Sequence, residues 1–202
     1  MNITVLGASG KTGSEIVNQA LAAGHSVTAI VRRPESIESK TNLKVVVGDV
    51  TNQKDIAKIS KGTDVIVSAL GAMGGTLMTD TVTAVIAASK VTGVKRFILM
   101  SSFMVRKDQL TGGTKLMSNM LMGKAVADKS TSEDLLRSSD LDWTIVYPTG
   151  LSNKDKSANV RVVSSSEKLS MKNGISRADV AAWILKEAKA NAYVKAEAVI
   201  TA

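Results

Sequence analysis

At 202 residues the chain is long enough for one domain with a full hydrophobic core, and its 44% apolar and 22% charged content is ordinary for a folded globular protein. The absence of cysteine and the presence of a single histidine, His25, exclude disulfides and thiol catalysis and leave no metal site expected. The net charge of +8 is spread over scattered Lys and Arg with only 3% aromatics, so no nucleic-acid-binding arm or stacking platform is expected; a solvated basic surface, or one that attracts a polyanionic small molecule, accounts for it.

The first segment is β-forming from Asn2, with no basic and apolar leader before it. No apolar run approaches the roughly 18–20 residues of a membrane span, so a cytoplasmic protein without membrane contact is expected. Strands are predicted at Ile3–Leu6, Val27–Val31, Lys44–Val47, Val65–Ser68 and Phe97–Met100, each an almost unbroken apolar run of the kind buried on both faces of a parallel sheet. Helical spacing lies between them. Ile16, Val17, Ala20 and Leu21 mark one helix, stopped at Gly24; Thr51-Asn52 can cap a second that runs to about Ser60. Val82, Val85, Ile86 and Ser89 mark a third, ended by Gly93. Residues 104–114 are polar and glycine-bearing and read as a flexible loop. A helix follows from Met117 or Val126 to Arg137, then a strand at Asp142–Tyr147 stopped by Pro148, then loops and short strands over 149–175. Ser176 caps a helix to Ala190, with Asp179 at its third position, and a last strand lies near Ala198–Thr201. The alternation predicts a single α/β domain over 1–202, a doubly wound Rossmann fold with helices on both faces of a mostly parallel sheet and substrate-side elements from about 103 to 175.

The loop after the first strand is Gly7-Ala8-Ser9-Gly10-Lys11-Thr12-Gly13. Its place between a strand and a helix carries more weight than the string itself. Gly7 permits the turn, Gly10 lets backbone approach a diphosphate, and Gly13 lets the helix pack close to the sheet. The helix N-terminus offers amide donors and a positive dipole end to phosphate. The spacing is not that of a P-loop nucleotidase. At the end of the second strand, where an NAD site carries an acid for the ribose hydroxyl, stand Arg32 and Arg33 before Pro34. Guanidinium suits a 2′-phosphate, so NADP(H) is expected over NAD(H). Asp49 and Val50 end the third strand; Asp49 can accept from the adenine amino group with Val50 on the ring, or Asp49 can cap the turn at Asn52.

These residues, with Ser68-Ala69-Leu70-Gly71, Met100-Ser101-Ser102 and the run Leu141–Pro148, resemble the atypical short-chain dehydrogenases. The chain is most similar to the branch of biliverdin-IXβ reductase and flavin reductase and to the NmrA-like proteins. The resemblance implies that Ala69, Leu70, Gly71 and Ser101 border the cofactor, with Ser102 as an active-site serine at a strand end. A serine bonding its own backbone is the other reading of Ser102. The family's lysine corresponds to Lys129, but Ala125 stands where the tyrosine of Tyr-x-x-x-Lys belongs. Lys129 then acts in the site or forms a surface i, i+4 ion pair with Glu133. Without that tyrosine, ordinary alcohol dehydrogenation is not expected. Hydride transfer to a flat conjugated acceptor, a flavin or quinone, needs little acid help and remains. Met104, Tyr147, Pro148 and Thr149 are expected to shape the pocket, among the methionines Met100, Met104, Met117, Met120 and Met122, which serve either a flat ligand or the core. The expected partner is a small-molecule acceptor, with monomer and dimer both open. The alternative is a non-catalytic NADP(H) sensor of NmrA type.

Overall fold

The apolar runs become adjacent strands because every residue in them finds a buried face. The computed structural model describes residues 1–71, 74–121, 123–157, 159–170 and 172–202. Its first half runs β1 (Asn2–Leu6), α1 (Lys11–Ala22), β2 (Ser26–Val31), β3 (Leu43–Val47), α2 (Gln53–Ser60), β4 (Val65–Ser68), α3 (Leu77–Thr92) and β5 (Arg96–Met100). The second half adds α4 (Gly112–Leu121), α5 (Gly123–Arg137), β6 (Asp142–Pro148), β7 (Gly150–Ser152), β8 (Arg161–Val162), β9 (Gly174–Ser176), α6 (Arg177–Ala190) and β10 (Ala196–Thr201). One sheet has the order β3-β2-β1-β4-β5-β6-β10-β8, and β7 pairs separately with β9. In the main sheet every pairing is parallel except that of the edge strand β8 with β10. This is the expected doubly wound fold, with the strand order reversing between β1 and β4.

Strand alternation divides the core between the two faces. Leu6, Ile66, Phe97 and Leu99 pack with α2, α3 and α5, while Ile3, Val5, Val65, Val67, Ile98 and Met100 pack with α1 and α6. Asn52 caps α2 by accepting from the Lys54 and Asp55 amides at 2.9 and 3.4 Å. Ser176 caps α6 by accepting from the Asp179 amide at 2.9 Å. Gly93, at φ +77°, ends α3. No helix among the described residues is long and apolar enough to cross a membrane.

The second half departs from the sequence reading in two places. The expected loop at 104–114 begins as a 3-10 turn, Phe103–Val105, and is held by Gln109, which is 1% exposed and donates to the Ser164 carbonyl at 2.9 Å. Helix then starts at Gly112, where the Lys115 amide bonds the Thr111 carbonyl at 2.8 Å, upstream of either predicted start. The glycines there suggested a loop, but at an exposed helix start they cost only their modest propensity deficit.

Candidate functional site

The glycine loop lies at the carboxyl end of β1, beside the reversal of strand order, where open α/β sheets form their ligand crevice. Gly7 adopts φ +82°, and a Cβ there would meet the Ala69 carbonyl and the Leu70 side chain at 3.1 Å. A Cβ on Gly13 would stand 2.0 Å from the Gly7 oxygen. Helix α1 therefore seats directly on the loop. Its first internal bond is Ser14 amide to Gly10 carbonyl at 2.8 Å, with no side-chain cap and no acid in the first turn. The earlier amides and the dipole are left for an anion, so the cradle fits a diphosphate.

Two grooves meet at Leu70, beside this loop. The first, about 290 Å³, is lined by Gly7, Ser9, Arg32, Asp49 and Val50. Asp49 Oδ1 accepts from the Thr51 amide and hydroxyl at 2.9 and 2.8 Å, and the Asp49 carbonyl accepts from the Asn52 amide at 3.1 Å. The carboxylate thus shapes its own turn as well as facing the groove. Those Thr51 bonds hold its pKa below the ordinary carboxylate value, with a smaller contribution from Arg32. Arg33 is exposed and does not line this groove; its carbonyl accepts from Ser36. Ala8 and Thr12 of the loop are buried, and Lys11 is exposed beside a neighbouring polar pocket.

The second groove is an apolar cleft of about 540 Å³ that shares Leu70 with the first. Gly71, Ser101, Ser102, Ala125 and Lys129 line it, so the family's lysine position and the alanine four residues before it face the same space. Ala69 is nearly buried under the glycine loop, its amide bonding the Leu6 carbonyl at 2.9 Å. Ser102 Oγ accepts from the Met104 amide at 3.4 Å, so it both lines the cleft and caps its own turn. Of the methionines, Met100 and Met104 line the cleft and Met120 is 74% exposed; Met122 and the side chain of Met117 lie outside the described residues.

The expected Lys129–Glu133 surface ion pair is replaced by a different arrangement. Glu133 is 1% exposed, and among the described residues its ion pair is with Arg137. Its Oε1 accepts from Ser101 Oγ at 2.5 Å. Its Oε2 accepts from the Tyr147 hydroxyl at 2.7 Å and from Arg137 Nη2 at 3.1 Å. Burial pushes the Glu133 carboxyl up, against the Ser101 and Tyr147 hydrogen bonds and the Arg137 charge. Burial also pushes the Tyr147 phenol up, so it stays a donor. Lys129 lacks an ion-pair partner among the described residues, and burial beside the cleft pulls its ammonium down, opposed by Glu133 and Asp128.

Tyr147 consequently belongs to the core rather than to the cleft wall. Pro148 is buried within β6, and Thr149 Oγ1 donates to Thr201 Oγ1 at 3.0 Å, also buried. Their places at the cleft are taken by Leu151 and Arg177, which the sequence reading missed. Arg177 follows the α6 cap and is steadied by Asn153 Oδ1 at 2.7 Å; its nearness to the glycine loop comes from the packing of α6 on α1, which no local motif reports. Asp128 was missed as well. From α5 it accepts from the Met78 and Thr79 amides, at 2.9 and 3.0 Å, capping α3 from another helix and fixing the Ala125–Lys129 turn beside the cleft.

The chain belongs to an NAD(P)H-binding family, whose model matches residues 7–191. It is similar to a Bacillus subtilis protein named as an uncharacterized sugar epimerase, YhfK, at 28% identity over 196 residues, 92% of this chain and 86% of that one. Among solved structures it is similar to ChuY, an anaerobillin reductase from Escherichia coli, with TM-score 0.82 and 24% identity over 99% of this chain and 96% of that one. A short-chain dehydrogenase/reductase of wide type from Veillonella parvula, in complex with NADP, gives TM-score 0.82 and 20% identity over 98% and 93%. At these identities the two structures share the fold. The dinucleotide-binding Rossmann domain read from the sequence is therefore established for this chain.

Proposed function

We propose that the protein is an NADPH-dependent reductase of a flat conjugated acceptor, a flavin, a quinone or a similar ring system. The observation that carries this reading is the apolar cleft joined at Leu70 to the dinucleotide groove, with Ala125 and Lys129 on its wall and no phenol between them. An acceptor there takes up charge that its own conjugation spreads, so it needs less acid assistance than an isolated carbonyl.

In this reading the loop amides hold the diphosphate, Arg32 faces the 2′-phosphate, and Val50 packs on the adenine. The bound dinucleotide supplies the hydride. Gly71 leaves room at the nicotinamide end, and Lys129 and Arg177 give the cleft positive charge that favours an acceptor gaining electron density. Leu70, Met100 and Met104 exclude water around the rings. The site takes a small-molecule acceptor and no nucleic acid.

The experiment is direct. Purified protein is mixed with NADPH and a panel of flavins and quinones, and loss of reduced-nicotinamide absorbance is followed. Turnover of at least one acceptor is expected. Tight NADPH binding with no turnover of any acceptor would refute the reductase reading in favour of a cofactor sensor.

A further inference from the structure

We propose that Ser101 and Glu133 are the proton-exchanging pair of the cleft, with Ser101 Oγ handing a proton to the acceptor and Glu133 replacing it from behind. This rests on the reductase reading above. The phenol position of the cleft is held by Ala125, and among the described residues Ser102 Oγ bonds no carboxylate, accepting instead from the Met104 amide. Ser101 differs. It lines the cleft, is 4% exposed, and has its hydroxyl 2.5 Å from a carboxylate oxygen that solvent does not reach directly.

Burial favours a proton on Glu133, and the Arg137 charge that opposes it is shared with other carboxylates. Arg137, on the same helix, bonds Glu133 Oε2 at 3.1 Å but makes closer contacts elsewhere: Asp134 Oδ1 at 2.7 Å and Glu197 Oε1 on β10 at 2.6 Å. One guanidinium thus serves three carboxylates. Arg106 Nη1 takes the other Glu197 oxygen at 2.6 Å. Tyr147 faces Glu133 from β6 as a neutral donor, and Lys129, one turn earlier on α5, faces the cleft. Of the three carboxylates, Asp134 is exposed and Glu197 is partly exposed, with guanidinium contacts from both Arg137 and Arg106. Glu133 alone pays a desolvation cost for charge, and that is the group placed on Ser101.

The step balances. As hydride adds to the acceptor ring, negative charge develops on a ring nitrogen or oxygen. With Glu133 protonated the 2.5 Å bond reverses, the carboxyl donating to Ser101 Oγ and the Ser101 O–H turning to the acceptor; that O–H bond breaks toward the charged atom as the carboxyl proton moves to Ser101 Oγ. Glu133 is left as a carboxylate held by Tyr147 and Arg137, and water entering the emptied cleft returns the proton through Ser101. Ser101 touches the acceptor; Glu133 acts through it.

Two measurements test the pair. In the first, kcat with NADPH and a reducible flavin or quinone is followed against pH. The wild type should lose rate as pH rises through the Glu133 ionisation. Ser101→Ala and Glu133→Gln should lower kcat about tenfold or more and flatten that limb, with KM for NADPH within about twofold. Lys129→Met should keep the limb. A limb intact in both Ser101→Ala and Glu133→Gln, or lost only in Lys129→Met, overturns the proposal. In the second, infrared difference spectra of the NADP-loaded protein should show a protonated carboxyl band that is absent in Glu133→Gln, shifted in Ser101→Ala, and bleached as pH rises. Glu133 ionised throughout would overturn the pair even in an active reductase. A protein that turns over no acceptor fails the reductase reading, and the infrared band then decides the proton on Glu133 by itself.

Discussion

Gly13→Ala sets two known effects against each other. Inside a helix, alanine is favoured over glycine by about 1 kcal/mol, and Gly13 lies in the first turn of α1. The added methyl, however, would stand 2.0 Å from the Gly7 oxygen and 2.7 Å from its carbonyl carbon, where ordinary contact begins at 3.4 Å. Both obstructing atoms are backbone, so no side chain can turn away. Either α1 lifts or the Gly7 turn opens. Overpacking of this kind costs about 1–3 kcal/mol and sometimes more. A 2.0 Å overlap with backbone belongs at the upper end of that range, so after the gain of about 1 kcal/mol a net loss of about 2 kcal/mol is expected, or a fall in Tm of about 4–8 °C for a chain of this size. The same shift misplaces the amides of the cradle, so NADPH affinity should fall by more than about tenfold. Gly113→Ala is the matched control: it is also helical and its Cβ would meet nothing within 4 Å, so a gain of about 0.5–1 kcal/mol is expected. Thermal unfolding of both variants and titration with NADPH read the outcome. A Gly13→Ala protein as stable as the wild type, with unchanged NADPH affinity, would refute the close seating of α1 on the loop.

Three further outcomes follow from named contacts. Arg32→Ala should weaken NADPH by about tenfold, the scale of one charge-assisted contact, and NADH much less, while Arg33→Ala should change the ratio little because Arg33 lies outside the groove; equal loss for both dinucleotides, measured by titration, would remove the 2′-phosphate role. Arg96→Met should cost about 3–5 kcal/mol in urea unfolding, since it strands Glu187, 3% exposed and paired to Arg96 at 2.7 Å; a loss under about 1 kcal/mol would show the pair to be dispensable. Glu133 gives a pH signature. Its folded pKa is raised, so between the ordinary glutamate value and that raised value the native state binds more protons than the unfolded one, and stability falls as pH rises. Glu133→Gln should flatten this part of the stability profile, and an unchanged slope would contradict the raised ionisation.

What the sequence made legible was local. The glycine spacing, the Asn52 and Ser176 caps and the apolar runs each depend on neighbours within a few residues, and the structure keeps them. The groove wall at Arg32, Asp49 and Val50 follows from strand ends in a known topology. The rest depended on distant partners. Glu133 reads as a surface helix position by charge, and only the approach of β5 and β6 turns it into the buried acceptor of Ser101 and Tyr147. Tyr147 and Thr149 sit at the right strand end for a pocket, yet partners on α5 and β10 draw them into the core. Asp128 reads as one more helical acid until the open N-terminus of α3 is set against it.

These distant contacts also decide what Ala125 means. Helix α5 is pinned twice, by Asp128 to α3 and by Glu133 to β5 and β6, so the turn carrying Ala125 and Lys129 has little freedom to shift. A side chain lengthened at 125 must enter the cleft, where Lys129 lies four residues on with no carboxylate partner among the described residues. Ala125→Tyr should therefore place a phenol beside an ammonium on one helix face, and the nearby charge should lower the phenol pKa. Two opposite changes are expected. Reduction of flat acceptors should fall, because the ring occupies their space, and reduction of simple ketones and aldehydes should rise from background, by about tenfold or more for an added general acid. Parallel kcat/KM measurements on a quinone and a small ketone read both. If wild type already reduces the ketone as well as Ala125→Tyr does, the missing phenol does not set which acceptors this cleft reduces.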